Sequence, residues 1–304
     1  MLKISLVKKT LSILTVLIIF FMLGRILYLN IETLLKYDWQ FKYHLLFPSL
    51  LFLALNYLIA AHVWTQILKM LGYTINLPQS FKITYLSAAG KYIPGKIWTY
   101  VSQIYLADKV GLPRRLTLVS MASMFVAYNG IAILFFISTL LLWESIPTHS
   151  AIILILLFSL VLLFILHPQV LTKAINFFLR FFKKEKVEFK VAYKSMLFLL
   201  GLLILDRVIF SIFAYLFINS FLALNLIEAI KFSGVFSVAV FLGVMTFIAP
   251  GGLGVREGVQ SYLLSLFLPV SMAILIALAM RVWMTLGELA CFLVALKIKE
   301  PELT

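Results

Sequence analysis

The sequence predicts an all-α polytopic membrane protein, a single integral membrane domain over residues 1–304. About six full transmembrane helices are expected, with two broken re-entrant helical hairpins in an inverted repeat. Three observations carry this. Hydrophobic residues are 63% of the 304 and charged ones only 12%, with a mean hydropathy of +1.08. A soluble domain is nearer half apolar and a quarter charged. Two long apolar regions, 79–107 and 229–270, are interrupted by Pro and Gly where an unbroken helix would be expected. Finally, Lys and Arg concentrate in alternate loops, the pattern that orients membrane helices.

The elements follow in order. Crossing about 30 Å of hydrocarbon takes roughly 20 apolar residues. Six segments are long enough: about 10–30, 45–70, 115–143, 151–168, 195–220 and 271–297. The start, MLKISLVKKTLSILTVLIIFFMLG, has the charge and apolarity of a signal peptide. It lacks a small-x-small cleavage site, and its apolar run continues to Leu29, so it reads as a retained first span.

Loop charges set the orientation. Lys3, Lys8 and Lys9 precede the first span, and loop 30–43 is balanced, with Glu32 and Asp38 against Lys36 and Lys42. Lys109, Arg114 and Arg115 mark 107–115, and seven basic residues from Lys173 to Lys194 mark 168–194. Loop 143–150 and the stretch near 219–228 have no Lys or Arg. Positive-inside counting puts both termini in the cytoplasm of a multi-pass cell-membrane protein. Region 79–107 must then leave and return on the cytoplasmic side, and region 229–270 on the outer side. The chain divides into halves of about 1–148 and 149–304 that run in opposite directions, the architecture of many secondary transporters. The net charge of +14 belongs to this topology rather than to a nucleic-acid footprint. Cys291 is the only cysteine, so a disulfide within the chain is excluded and a thiolate metal site is not expected.

The two breaks read GKYIPGKIWTYVSQIYL (90–106) and IAPGGLGVREGVQSYLL (248–264). Each has Pro-Gly, then a basic residue, then Gln-x-Tyr-Leu. Non-helical backbone at membrane depth is tolerated only where it is buried in protein or lines a wet cavity. Pro250, Gly251, Gly252 and Gly254 would free amides at the start of the next half-helix, where an anion is favoured. Arg256 lies in its first turn, and Lys91 and Lys96 flank Pro94 and Gly95 in the same way. Paired half-helix N-termini with basic side chains would make a phosphate site. The plainer alternative is a pair of tight turns with lysines reaching the interface.

Glu257 follows Arg256, but neighbouring helix positions point about 100° apart. A partner on another element is expected, with Arg207 and Arg281 as candidates. Asp206, Arg207, Arg281 and Glu288 all fall inside predicted spans, and Arg281 and Glu288 share a helical face. Charges at that depth are expensive and face the interior with partners. They form either a cavity for a polar head group or a structural ion-pair network. Asn56, His62, Tyr128 and Asn129 read as interhelical hydrogen-bonding groups. No H-E-x-x-H, G-x-S-x-G or phosphate-loop motif is present, so no enzyme, metal or cofactor is expected.

GKYIPGKIW (90–98), the basic stretch ADKVGLPRRL (107–116) and FIAPGGLGVREG (247–258) resemble the membrane domain of lysylphosphatidylglycerol synthase, the multiple peptide resistance factor. That domain defines a wider group of flippase-like membrane proteins, and the resemblance covers nearly the whole chain. It implies movement of an anionic lipid, or of a polyprenyl-phosphate-linked lipid, between leaflets. The chain ends soon after its last span, so the family's aminoacyl transferase domain is expected to be missing. The positions the resemblance carries over are Pro94, Gly95, Pro250, Gly251, Gly252, Gly254, Arg256 and Glu257. The alternative is a membrane enzyme or accessory subunit acting on a lipid carrier. A lipid-modifying enzyme or glycosyltransferase is the expected protein partner.

Overall fold

The computed structural model of the protein describes residues 21, 24, 25, 28, 31–36, 41–93, 97–166, 170, 173, 176, 193–246 and 250–298. Most of the expected first span, most of loop 168–194, and Pro94, Gly95 and Lys96 lie outside these residues. Ten α-helices are described: α1 (Ile31–Lys36), α2 (Tyr43–Met70), α3 (Leu77–Ala88), α4 (Ile97–Lys109), α5 (Arg114–Thr139), α6 (Thr148–Leu166), α7 (Tyr193–Asn219), α8 (Leu226–Met245), α9 (Val255–Leu264) and α10 (Val270–Lys297). Short 3₁₀ turns follow at Ala89–Tyr92, Leu140–Leu142 and Pro250–Gly252.

Among the described residues, five helical stretches have the length and apolarity to cross a membrane: α2, α5 with its 3₁₀ turn, α7 from Lys194, α8 and α10. The protein is an all-α polytopic membrane protein. At 1.5 Å per residue, the 12, 13 and 10 residues of α3, α4 and α9 rise only about 15–20 Å. They are broken-hairpin arms, as expected. The 20 residues of α8 rise about 30 Å. The first arm of the second hairpin is therefore as long as a full span, whereas both arms of the first hairpin are short.

One element order occurs twice. A long helix leads into an Asn-capped helix, a 3₁₀ break, a short helix and a Pro-led long helix. Residues 43–139 hold it once, as α2 to α5, and 193–297 hold it again, as α7 to α10. The local chemistry repeats too. Asn76 Oδ1 accepts from the Gln79 N–H (2.9 Å) while Gln79 Oε1 accepts from the Asn76 N–H (3.3 Å). Asn225 and Glu228 make the same reciprocal pair at 2.8 and 2.9 Å. Such capping boxes satisfy amides that a helix start leaves bare. Pro113 and Pro269 stand at the N-caps of α5 and α10, where a missing N–H costs nothing.

The units interlock. The leading helices α2 and α7 pack together. The Lys42 N–H donates to the Ser220 carbonyl (2.7 Å), and midway along, Asn56 Nδ2 donates to Asp206 Oδ1 (2.8 Å). Partner numbers fall on one helix as they rise on the other, so the pair is antiparallel, as an inverted repeat requires. Each closing helix then packs on the first hairpin arm of the other unit, α5 on α8 and α10 on α3. Small residues allow this closeness. A Cβ at Gly234 of α8 would run into Thr139 Oγ1 of α5, and one at Gly287 of α10 would meet Leu53 of α2 at 2.6 Å.

Phe213, Phe232, Phe236, Ile276 and Met280 fill the core with 1% exposure or less. Phe217 and Trp283 stack at 5.3 Å, and Tyr57 Oη donates to the Met284 carbonyl (2.9 Å), tying α2 to α10. Outside, α6 presents Ile152, Ile153, Leu156, Leu157, Leu160 and Phe164, all exposed. Apolar groups so placed fit a lipid-facing surface.

Candidate functional site

The described 3₁₀ turns at the two hairpin breaks meet. The 3₁₀ turn Ala89–Tyr92 packs on the 3₁₀ turn Pro250–Gly252, and a Cβ at Gly251 would lie 3.5 Å from the Lys91 carbonyl oxygen. Glycine is needed here for backbone reasons. Gly251, Gly252 and Gly254 have φ of +59°, +70° and +81°, a region other residues rarely enter. Gly252 also lies so close to α8 that its Cβ would fall 2.8 Å from the Gly243 carbonyl oxygen. The loop folds tightly back on the helix before it and delivers Arg256 and Glu257 inward.

Glu257 is fully buried. Its Oε2 accepts from the Gly254 N–H at 2.6 Å, and its Oε1 lies 3.5 Å from Arg281 Nε. The second contact is an ion pair rather than a hydrogen bond at that length. Of the two partners expected for Glu257, the structure selects Arg281, because Arg207 is held elsewhere. The anion at the start of α9 is thus the protein's own carboxylate. The amide of Gly254, one of those expected to meet a phosphate, is already taken.

Glu288 lies two turns beyond Arg281 on α10. Lys91 Nζ is 2.5 Å from its Oε1, and Tyr92 Oη donates to its Oε2 at 2.8 Å. One face of α10 therefore holds both hairpin tips by ion pairs of opposite polarity. Asp206 is 1% exposed and accepts from Asn56 Nδ2 and from Arg207 Nη2, the latter at 2.6 Å. Although adjacent in sequence, this pair closes because the Arg207 side chain curls back. Its guanidinium lies 5.7 Å from the Tyr128 ring and 5.6 Å from Phe210, within cation–π range.

Arg256 is the exception. It is 9% exposed, and Nη2 contacts Met284 Sδ at 3.1 Å. Among the described residues it has no carboxylate at ion-pair distance. Thioether sulfur is a weak acceptor, so the guanidinium keeps donor capacity.

These groups surround one cavity of about 360 Å³. Lys91, Arg207, Gly251, Gly252, Arg256, Arg281 and Glu288 all line it, while Asp206 and Glu257 stand behind the wall. The described residues among those expected at a phosphate site lie in one cluster with those of the expected charge network. Of Pro250 only the backbone, at the start of its 3₁₀ turn, is described. The sequence reading did not place Thr99, Tyr100, Phe210, Val240, Gly243 or Met284 at the wall. For Met284 a signal existed: it sits three residues after Arg281 and four before Glu288, on their face. Asn56 makes the interhelical bond expected of it, but Asn129 bonds within its own helix, to the Phe125 carbonyl (2.7 Å). Among the described residues, no cluster of His, Cys, Asp and Glu could hold a metal ion.

A family model described as the lysylphosphatidylglycerol synthase TM region matches residues 6–289. No curated protein matches the chain.

Proposed function

The chain belongs to the lysylphosphatidylglycerol synthase TM region family, and on that premise we propose that it carries an anionic lipid between leaflets. The cargo is a phospholipid or a polyprenyl-phosphate-linked lipid. Its head group occupies the central cavity while its chains stay in the bilayer. The observation that carries this reading is Arg256, a guanidinium 9% exposed on a cavity wall with no carboxylate partner among the described residues. A charge at membrane depth without a partner is expensive, and where it persists it marks a substrate path. Arg281 and Lys91 on the same wall are already paired and add field rather than a free charge.

The inverted repeat supports the same reading, since transporters of that architecture bind cargo between their repeats and expose it alternately. In this proposal the protein sits in the plasma membrane with both termini in the cytoplasm. It performs no covalent chemistry on the lipid and serves an enzyme that makes or uses it.

Reconstitution into vesicles with fluorescent phospholipid and polyprenyl-phosphate lipids tests this. Quenching of the outer leaflet should report exchange well above protein-free vesicles. Binding of the lipid without any exchange would instead favour an accessory, lipid-holding role.

A further inference from the structure

Resting on that reading of Arg256, we infer that Met284 is an oxidation site. A hydroperoxide converts its thioether to the sulfoxide, and the sulfoxide oxygen takes the Arg256 guanidinium and shuts the cavity to lipid. Three observations carry this. Met284 Sδ lies 3.1 Å from Arg256 Nη2. Met284 lines the cavity, and among the described residues no other methionine or cysteine does. Met280, one helical turn earlier on α10, is fully buried and away from that wall.

The step is a two-electron oxygen transfer. A sulfur lone pair attacks one peroxide oxygen, and the S–O bond forms as the O–O bond breaks. Sulfur is oxidised. The departing hydroxide takes the proton from the transferred oxygen and leaves as water, so the peroxide is reduced. Hydrogen peroxide is small and uncharged, and a cavity of about 360 Å³ has room for it several times over.

The change at the sulfur is one of hydrogen-bonding character. Oxidation makes a flexible apolar side chain polar. A thioether is a weak acceptor, which leaves Arg256 available to a phosphate. A sulfoxide oxygen carries partial negative charge. Bonded to a sulfur that already touches Nη2, it stands within reach of the guanidinium, and hydrogen bonds from a charged donor are the strong ones. An entering lipid phosphate must then break that bond and displace the added oxygen from the wall. Occupancy acts in the opposite sense, because a head group seated on Arg256 covers the sulfur and slows its oxidation.

The test uses the reconstituted full chain in a Cys291→Ser background, so that methionine is the only sulfur left. The protein is treated with hydrogen peroxide, and oxygen addition at each methionine is mapped by peptide mass spectrometry. Exchange of fluorescent phosphatidylglycerol and of a polyprenyl-phosphate hexose is compared with each protein's own untreated rate. With Met284 intact, sulfoxide should form there at least tenfold faster than at Met280. Exchange should fall tenfold or more, in step with the fraction oxidised at Met284. Folded Met284→Leu, close in volume, should keep most of its own rate through the same treatment. Met284→Gln, with an amide oxygen fixed in that place, should be slow before any oxidant is added. Both changes leave the Tyr57 bond, which goes to the backbone carbonyl of Met284. Oxidation at Met280 with Met284 untouched overturns the inference. So does full sulfoxide at Met284 with exchange unchanged, or an equal loss in folded Met284→Leu. If Met284→Leu does not fold by thermal melt, a loss of exchange that follows another methionine and not Met284 overturns it instead. An untreated protein no faster than empty vesicles sinks the parent reading, and the block on exchange falls with it.

Discussion

Glu257 is the residue whose two roles are hardest to separate. It closes the first turn of α9 on Gly254 and holds Arg281. Both oxygens are buried, and Arg281 Nη2 has no hydrogen-bond partner among the described residues. Removing one member of a buried pair typically costs about 3–5 kcal/mol because the other charge is left behind. Glu257→Ala should therefore lower the melting temperature in detergent sharply. Glu257→Ala with Arg281→Met should melt higher than the sum of the two losses, since the stranded charge is gone. Strict additivity in that cycle would show that the two side chains do not interact. Sequence reasoning reached Glu257 with two candidate partners and could not choose. Nothing in spacing says that Asp206 occupies Arg207, because that pair depends on an arginine folding back along its own helix.

The hairpin breaks decide the elements. Pro and Gly punctuate both apolar regions, so the breaks were legible from residue type alone. The length of α8 was not. An apolar run reads the same whether it is a hairpin arm or a full span, and only helix continuity from Leu226 to Met245 distinguishes them. The paired caps were present as Asn76-x-x-Gln79 and Asn225-x-x-Glu228, yet charge counting passed over them because neither cap needs a charged residue at its start. Asn225→Ala should destabilise by about 1 kcal/mol, read as a modest fall in melting temperature. Gly90 gives a sharper result. A Cβ there would lie 2.6 Å from the Thr99 backbone nitrogen and 2.7 Å from the Trp98 carbonyl carbon. Gly90→Ala must push α4 away from the first tip, at about 1–3 kcal/mol. Because Lys91 follows and Thr99 lines the cavity, lipid affinity should fall along with stability. A variant with wild-type melting and wild-type lipid binding would mean that the tip and α4 are not in contact.

For the whole molecule, the antiparallel α2–α7 pair and the exchange of closing helices make one body from two similar units. Loop charges predict two halves of opposite direction. They could not foretell which faces meet, since long apolar helices present several alternative faces and serine, glycine and aromatic contacts select among them. Orientation is tested by single-cysteine labelling in a Cys291→Ser background. Glu144→Cys, in the loop without Lys or Arg, should react with an impermeant reagent added outside. Lys109→Cys should react only after permeabilisation. The reverse pattern would invert the topology proposed here.

The central claim is that Arg256, a cavity cation with no carboxylate partner among the described residues, holds a lipid phosphate on its way across. Leaflet exchange by reconstituted wild type and by Arg256→Gln, matched for folding by thermal melt, tests it most directly. The account predicts exchange by the wild type and a loss of tenfold or more in the variant, equivalent to about 1.4 kcal/mol. Equal rates in the two proteins, or a wild type no faster than empty vesicles, would contradict it.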